Sequence, residues 1–343
     1  MNLIRISLVL ATGLLLITAC SDGPRPKNVI ETKAVSEDFR LETSRLDVPL
    51  FANSHSLGQL QAWHQKELAT GPEFYKTYLQ NILQVKPDSA TALSLYKFTG
   101  NPLWKELQGE IEKAYPNTDT IDGQLTRAFG RLKQLLPTKS TPSIYYFNSA
   151  FNIGIWPDTN LVGIGLEWYL GKHHRIVKQL PSDFPQFQRD NMEAVYIPGD
   201  VVKAWLGMNY FKKEYTTDLL EYMVFNGKLM YAAEAALAPI ADSVLFSYTS
   251  EQMAWCYEQE QHIWQELVKK DLIFSTRERD MQRMTADGPF TPGFPQNGAP
   301  MAGVYIGWKM VADYMKKNPD TSLETLLTSV SGKQILKAYK PKK

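Results

Sequence analysis

Leu16-Ile17-Thr18-Ala19-Cys20 closes an apolar run that begins near Ile6 and holds the clearest chemistry in the chain. A thiol placed directly after small residues and an apolar segment is the group that takes a diacylglyceryl chain before a lipoprotein peptidase cuts in front of it. Arg5 supplies a short positive flank. The apolar stretch, about twelve residues, falls short of the roughly 20 that a spanning helix needs. The pattern predicts a cleaved signal over residues 1–19 and a mature chain held to a membrane through diacylglyceryl-Cys20. Each buried acyl methylene adds about 0.8 kcal/mol to that attachment.

Elsewhere reactive groups are sparse. The five histidines, His55, His64, His173, His174 and His262, include no pair at i, i+4 spacing, so a zinc helix of the HExxH kind is absent. The adjacent His173 and His174 point in different directions in either helix or strand. Glu258, His262 and Glu266 share a helical face by fours, which reads as a solvated charge face. Cys256, the other cysteine, has no partner once Cys20 carries lipid, and its apolar neighbours predict a buried side chain. No Gly-x-Ser-x-Gly elbow or Walker loop occurs. Neither a cofactor nor a metal site is expected. Glu260 is the local anomaly, an acid on the apolar stripe formed by Met253, Cys256, Tyr257, Trp264 and Leu267. An unpaired acid there costs several kcal/mol, so it is expected to pair with a cation such as Lys228 or with tyrosine hydroxyls. The tryptophans, Trp308 and Trp168 among them, suit a core or an aromatic cleft.

These groups need elements to hold them. Residues 20–40 contain few large apolar side chains and read as a tether, with one globular body over 41–343. Apolar spacings of three and four from Leu57 to Leu136 predict helices, punctuated at Pro72, Pro87, Pro102, Pro116 and Pro137. Ser143–Phe147 and Leu161–Leu166 are β-rich, with a third short strand expected at Ile153–Trp156 and a turn at Pro157–Asn160. Gly163 and Gly165 fall inside a strand and imply close backbone packing. Beyond residue 180 helices return, with start signals at Asp218/Glu221 and Thr249/Gln252. After Pro300, Gly303 and Gly307 sit one turn apart and admit a neighbouring backbone. Lysine plus arginine number 37 against 36 acids, and loss of Arg5 with the signal leaves 36 of each. That balance argues against nucleic acid. The fold class expected is α+β, mainly helical, with a small mixed sheet between about residues 142 and 170.

Several segments together resemble the gliding-motility lipoprotein GldB family of Bacteroidetes envelopes. They are Arg45-Leu46-Asp47 with Leu50-Phe51, Leu166–Gly171 with His174, Met223-Val224 with Gly227-Lys228 and Tyr231, and Tyr248-Thr249 with Gln252 and Trp255. Glu260 with Trp264, Gly303 with Gly307-Trp308, and Tyr339-Lys340-Pro341 complete the order. The chain departs from the family pattern at Glu167, where an aspartate is usual, at His173, and near Arg283-Met284. The resemblance implies a zincin-like layout, similar to zinc peptidases, that has lost its metal ligands. It also implies a lipid-anchored envelope protein that supports gliding and its associated secretion machinery by protein–protein interaction, with its body in the periplasm and without catalysis. Glu167, His174, Lys228, Glu260 and Trp308 are the residues it marks for structural or binding roles, and the groove beside the sheet is the expected peptide-docking edge. Two other readings stay open on the residues alone: a peptidase-like envelope hydrolase, and a lipoprotein binding a glycan or other small ligand.

Overall fold

The computed structural model describes residue 30 and residues 32–342, so Cys20, the signal at 1–19 and much of the expected tether lie outside the described residues. Four short strands form one mixed sheet: β1 (Thr43–Arg45), β2 (Ser143–Phe147), β3 (Ile155–Pro157) and β4 (Leu161–Gly165). Their order is β1-β2-β4-β3, with β1, β2 and β4 parallel and β3 antiparallel to β4. Three strands lie where the β-rich text predicts them. The fourth, β1, comes from a three-residue Thr-Ser-Arg segment a hundred residues upstream, too short and polar to show a period-2 pattern.

Alternation along β2 divides the core. Ile144 and Tyr146 join a large cluster with Val162 and Ile164, while Phe147 and Tyr145 face a smaller one built on Leu50, Leu60, Phe74 and Tyr78. Strand β4 is buried along its whole length because its glycines leave room for neighbours. A Cβ on Gly163 would stand 2.5 Å from the Phe74 ring and 2.8 Å from that of Phe147.

Among the described residues, the α-helices of seven residues or more are α1 (Leu57–Thr70), α2 (Thr91–Gly100), α3 (Pro102–Ala114), α4 (Asp119–Leu135), α5 (Ile197–Tyr210), α6 (Leu219–Leu237), α7 (Ser250–Lys269), α8 (Glu278–Thr285), α9 (Ala302–Lys317) and α10 (Gly332–Ala338). The protein is therefore mainly helical α+β. Their starts follow local chemistry. Asp218 accepts from the Glu221 N–H at 3.0 Å, and Thr249 with Gln252 forms a reciprocal capping box. Asn101 caps α3 ahead of Pro102, whose missing N–H is harmless at a first helical position.

Helix α6 is buried on nearly every side and forms the axis of the helical half. It crosses α9 at backbone contact. A Cβ on Gly307 would lie 2.6 Å from the Met223 carbonyl carbon and closer still to its oxygen, and one on Gly227 would lie 2.5 Å from the Trp308 nitrogen. Gly303 completes the seam, since its Cβ would come within 2.8 Å of the Met284 oxygen. The close approach expected at Gly303 and Gly307 is thus present, with the backbone of α6 as the neighbour at Gly307 and that of α8 at Gly303.

The described chain upstream of Leu41 lies along α4. Val35 packs onto Gly130, where a Cβ would fall 2.9 Å from the valine Cγ2, and the Lys33 backbone exchanges hydrogen bonds with the Gln134 side chain at 3.0 and 3.2 Å. Ile30 and Phe39 also touch the large core cluster.

Candidate functional site

Parallel strands direct their following loops to one end of a sheet, and in open α/β sheets that carboxyl end is where ligands gather. Here it collects polar side chains. Asp47 follows β1 and is wholly buried; it accepts from Arg45 at 2.7 and 2.5 Å and from Gln108 at 3.0 Å. Asn148 follows β2 and donates to Gln108 Oε1 at 3.1 Å. Glu167 follows β4, and its Oε1 accepts from the Ser149 N–H at 2.7 Å, the Ser149 hydroxyl at 2.6 Å and the Phe151 N–H at 3.2 Å. Aiming those donors requires left-handed backbone at Ala150 and Phe151, with φ of 56° and 65°. Such conformations cost about 1 kcal/mol or more for residues with a Cβ. The carboxylate thus holds a strained loop in place.

The Glu167 carboxyl is fully buried and its Oε2 has no hydrogen-bond partner. Burial pushes it up to about 7, against the opposing effect of the Ser149 and Phe151 donors. A folded value above the unfolded one means that the folded state holds the proton more tightly. Its contribution to stability is complete below pH 4.5 and is lost as pH rises through about 7. Unfolding free energy should therefore fall by up to about 3 kcal/mol across that window, because each tenfold gain in proton affinity on folding is worth about 1.4 kcal/mol. Urea titrations at pH 4.5 and pH 8 should show the fall in the natural protein and not in Glu167→Gln; an equal fall in both would refute the assignment.

Beside this loop lies an apolar cleft of about 490 Å³, walled by Leu103, Trp104, Phe151, Ile176, Leu180 and Phe184. Trp168 stands between Phe151 and Phe184, with ring centroids 6.1 and 5.7 Å away. The rim is charged. Arg175 pairs with Glu106 and, at 3.1 Å, with Glu110, whose carboxyl is drawn down to about 2 by hydrogen bonds from Lys113 and then Arg175. His174 opens the short helix Arg175–Lys178 by accepting the Ile176 N–H at Nδ1, 3.3 Å away. That tautomer carries its proton on Nε2, which donates to Glu110 at 3.1 Å. Glu167 and His174 therefore both brace the segments that wall the cleft.

The other predicted residues lie in the helical half. Glu260 Oε1 accepts from the Tyr339 hydroxyl at 3.3 Å and the Lys342 N–H at 3.2 Å; its Oε2 accepts from Tyr305 at 3.3 Å and faces the Lys309 ammonium at 3.7 Å. The tyrosine pairing is as expected, but the cation is Lys309, one turn beyond Tyr305 on α9, and not Lys228. Lys228 donates instead to the Val330 carbonyl at 2.5 Å and lies over the Tyr215 ring, and burial draws its ammonium down to about 8. Trp308 is buried with Nε1 donating to Glu234 at 3.0 Å. Cys256 is fully buried and burial drives its thiol well up, as befits an apolar side chain. Lys309 could have been read from the sequence, since a lysine between Trp308 and Met310 in an apolar helix needs a buried partner. Gln108 and Ser149 had no such signal, because long-range folding alone brings them to Asp47 and Glu167.

Among the described residues no group of three or more His, Cys, Asp or Glu could hold a metal ion, and no helix is long and apolar enough to cross a membrane. Comparison with known proteins matches the chain to a family model described as gliding motility protein GldB, which covers residues 27–341. No curated protein and no solved structure matches the chain. The match takes in the sheet, the cleft, the α6–α9 seam and the Glu260 cluster in a single span, and so the chain belongs to the gliding motility protein GldB family.

Proposed function

We propose that the chain is a lipid-anchored envelope protein that supports gliding motility and its associated secretion machinery by holding a protein partner, with its body in the periplasm and no catalysis of its own. The observation that carries this is the extent of the family match, which begins at residue 27, just downstream of the lipobox at Cys20, and runs to residue 341. One unit then consists of an anchor, a short connecting segment and a single body. Strand addition at the sheet edges is disfavoured, because β1 and β3 are three residues each and β3 ends in Pro157, which has no N–H to offer. The cleft at the carboxyl end of the sheet is the better dock. Leu103 on its lip is 63% exposed, and the cleft suits one or two large apolar side chains from a partner segment.

Membrane cross-linking followed by pull-down tests this. Motility and secretion proteins should be recovered with the natural protein and lost with Cys20→Ser, which cannot be lipidated. A second variant, Leu103→Asp with Phe184→Asp, keeps the anchor but puts charge in the cleft; recovery should drop at least about tenfold, as for a lost hot spot of 1.4 kcal/mol or more. Undiminished recovery with that variant would remove the cleft from the mechanism.

A further inference from the structure

The descending chain shows which end of the body faces the bilayer. From β1, the backbone runs down α4 toward its C-terminus, where Lys33 meets Gln134 in the last turn. Lys133 in that same turn donates to the Lys139 carbonyl at 3.2 Å. Lys139 in turn donates to the Asn209 carbonyl at 3.3 Å and sits 4.7 Å over the Tyr210 ring, at the C-terminal end of α5. Next to that point are two exposed apolar side chains, Met208 at 46% and Phe211 at 54%, and the exposed Lys212 and Lys213. A continuous path of contacts thus joins the point where the anchor segment leaves the body to an apolar pair flanked by Lys139, Lys212 and Lys213. Glu214, Asp158 and Glu324, whose Oε2 accepts from the Tyr210 hydroxyl at 3.0 Å, are acids near the same turns, so lysines outnumber acids five to three along this path.

We infer that this end of the body, centred on Met208 and Phe211 with Lys33, Lys133, Lys139, Lys212 and Lys213 around them, rests on the anionic surface of the bilayer that carries the anchor. The inference rests on the reading of Cys20 as the lipidated residue. Residues 21–29 separate Cys20 from Ile30, a span of at most roughly 36 Å when fully extended. The body is therefore confined near the bilayer, and the end from which it is tethered is the one that reaches it first. Apolar side chains flanked by lysines suit the headgroup boundary, where each lysine near an anionic surface is attracted electrostatically. The strands β1, β2 and β4 begin at this end and run away from it, so the cleft at their carboxyl ends points away from the bilayer, open to a partner.

Depth-dependent quenching tests the orientation. The lipidated protein, purified from membranes with Phe211→Cys or Met208→Cys labelled by a fluorophore, is placed on phosphatidylglycerol–phosphatidylcholine vesicles that contain brominated acyl chains. Leu103→Cys, on the cleft, is the reference. Labels at 208 and 211 should be quenched at least about threefold more than the label at 103, and Lys212→Glu with Lys213→Glu should abolish the difference. Flotation with equal quenching at the two ends overturns the orientation while leaving the anchor intact. Quenching at 211 that ignores the charge reversal overturns the electrostatic part. Failure to float, with no acyl mass on Cys20, overturns both the orientation and the anchor.

Discussion

Gly307→Leu is expected to unfold the body, or to lower its stability by at least about 4 kcal/mol, beyond the ordinary range of overpacking substitutions. The reason is that the obstacle is backbone. At Gly307 any Cβ overlaps the Met223 carbonyl of α6, and at Gly227 any Cβ meets the Gly307 carbonyl and the Trp308 nitrogen. A side chain can change rotamer, but a helix backbone has to move as a whole, and α6 is packed on nearly all its faces. Separating α6 from α9 by even an ångström would open the packing around Met223, Trp308 and the buried ends of both helices. The control is Gly109→Ala on α3, where a Cβ meets nothing within 4 Å. There the substitution should raise stability by about 0.5–1 kcal/mol by reducing the entropy of the unfolded chain. Urea midpoints of the two variants should therefore move in opposite directions, and a folded Gly307→Leu protein with a natural midpoint would show that the seam is looser than its geometry.

Glu260→Ala should cost about 3–5 kcal/mol, the usual penalty for leaving one member of a buried ion pair behind. Lys309, 4% exposed, would keep its charge without a carboxylate, and the hydroxyls of Tyr305 and Tyr339 would lose their acceptor. Burial already draws the Lys309 ammonium down, with the Glu260 charge opposing that effect. Removing the carboxylate should draw it down further, so the variant should lose more stability below neutral pH, where lysine must be charged. The double substitution Glu260→Leu with Lys309→Met removes both charges and should cost less than either single change. A thermodynamic cycle over the four proteins separates the pair from its surroundings. Additive single costs would mean that the two residues are not coupled. The same cluster fastens the C-terminal segment, through the Lys342 N–H and the Trp264 ring against Tyr339, so protease nicking near residue 340 should accelerate in Glu260→Ala.

Local features carry the legible part of the chain. The capping pairs at Asp218/Glu221 and Thr249/Gln252, the prolines between α1 and α4, and the β-rich text of β2 and β4 each specify an element from a few neighbouring residues. For the same reason the sequence by itself determined the helix-rich class, the three consecutive strands, the inert Cys256 and the anomaly at Glu260. The lipidation proposed at Cys20 likewise rests on local residues alone and would need nothing from the fold.

What only the tertiary structure decided are pairings across long separations. Burial told that Glu260 required partners, but Lys228 and Lys309 are both lysines on buried helices. Only the rotation of α6 and α9 about their glycine seam turns Lys309 toward Glu260 and leaves Lys228 against the Val330 carbonyl. Strand β1 likewise exists because β2 offers it an edge. Three polar residues have no intrinsic preference strong enough to form a strand alone. The loop at Ala150 and Phe151 takes its left-handed shape from the Glu167 carboxylate, contributed by the next strand of the sheet. Side-chain spacing reports what a residue needs, while the packing of distant elements chooses which neighbour supplies it.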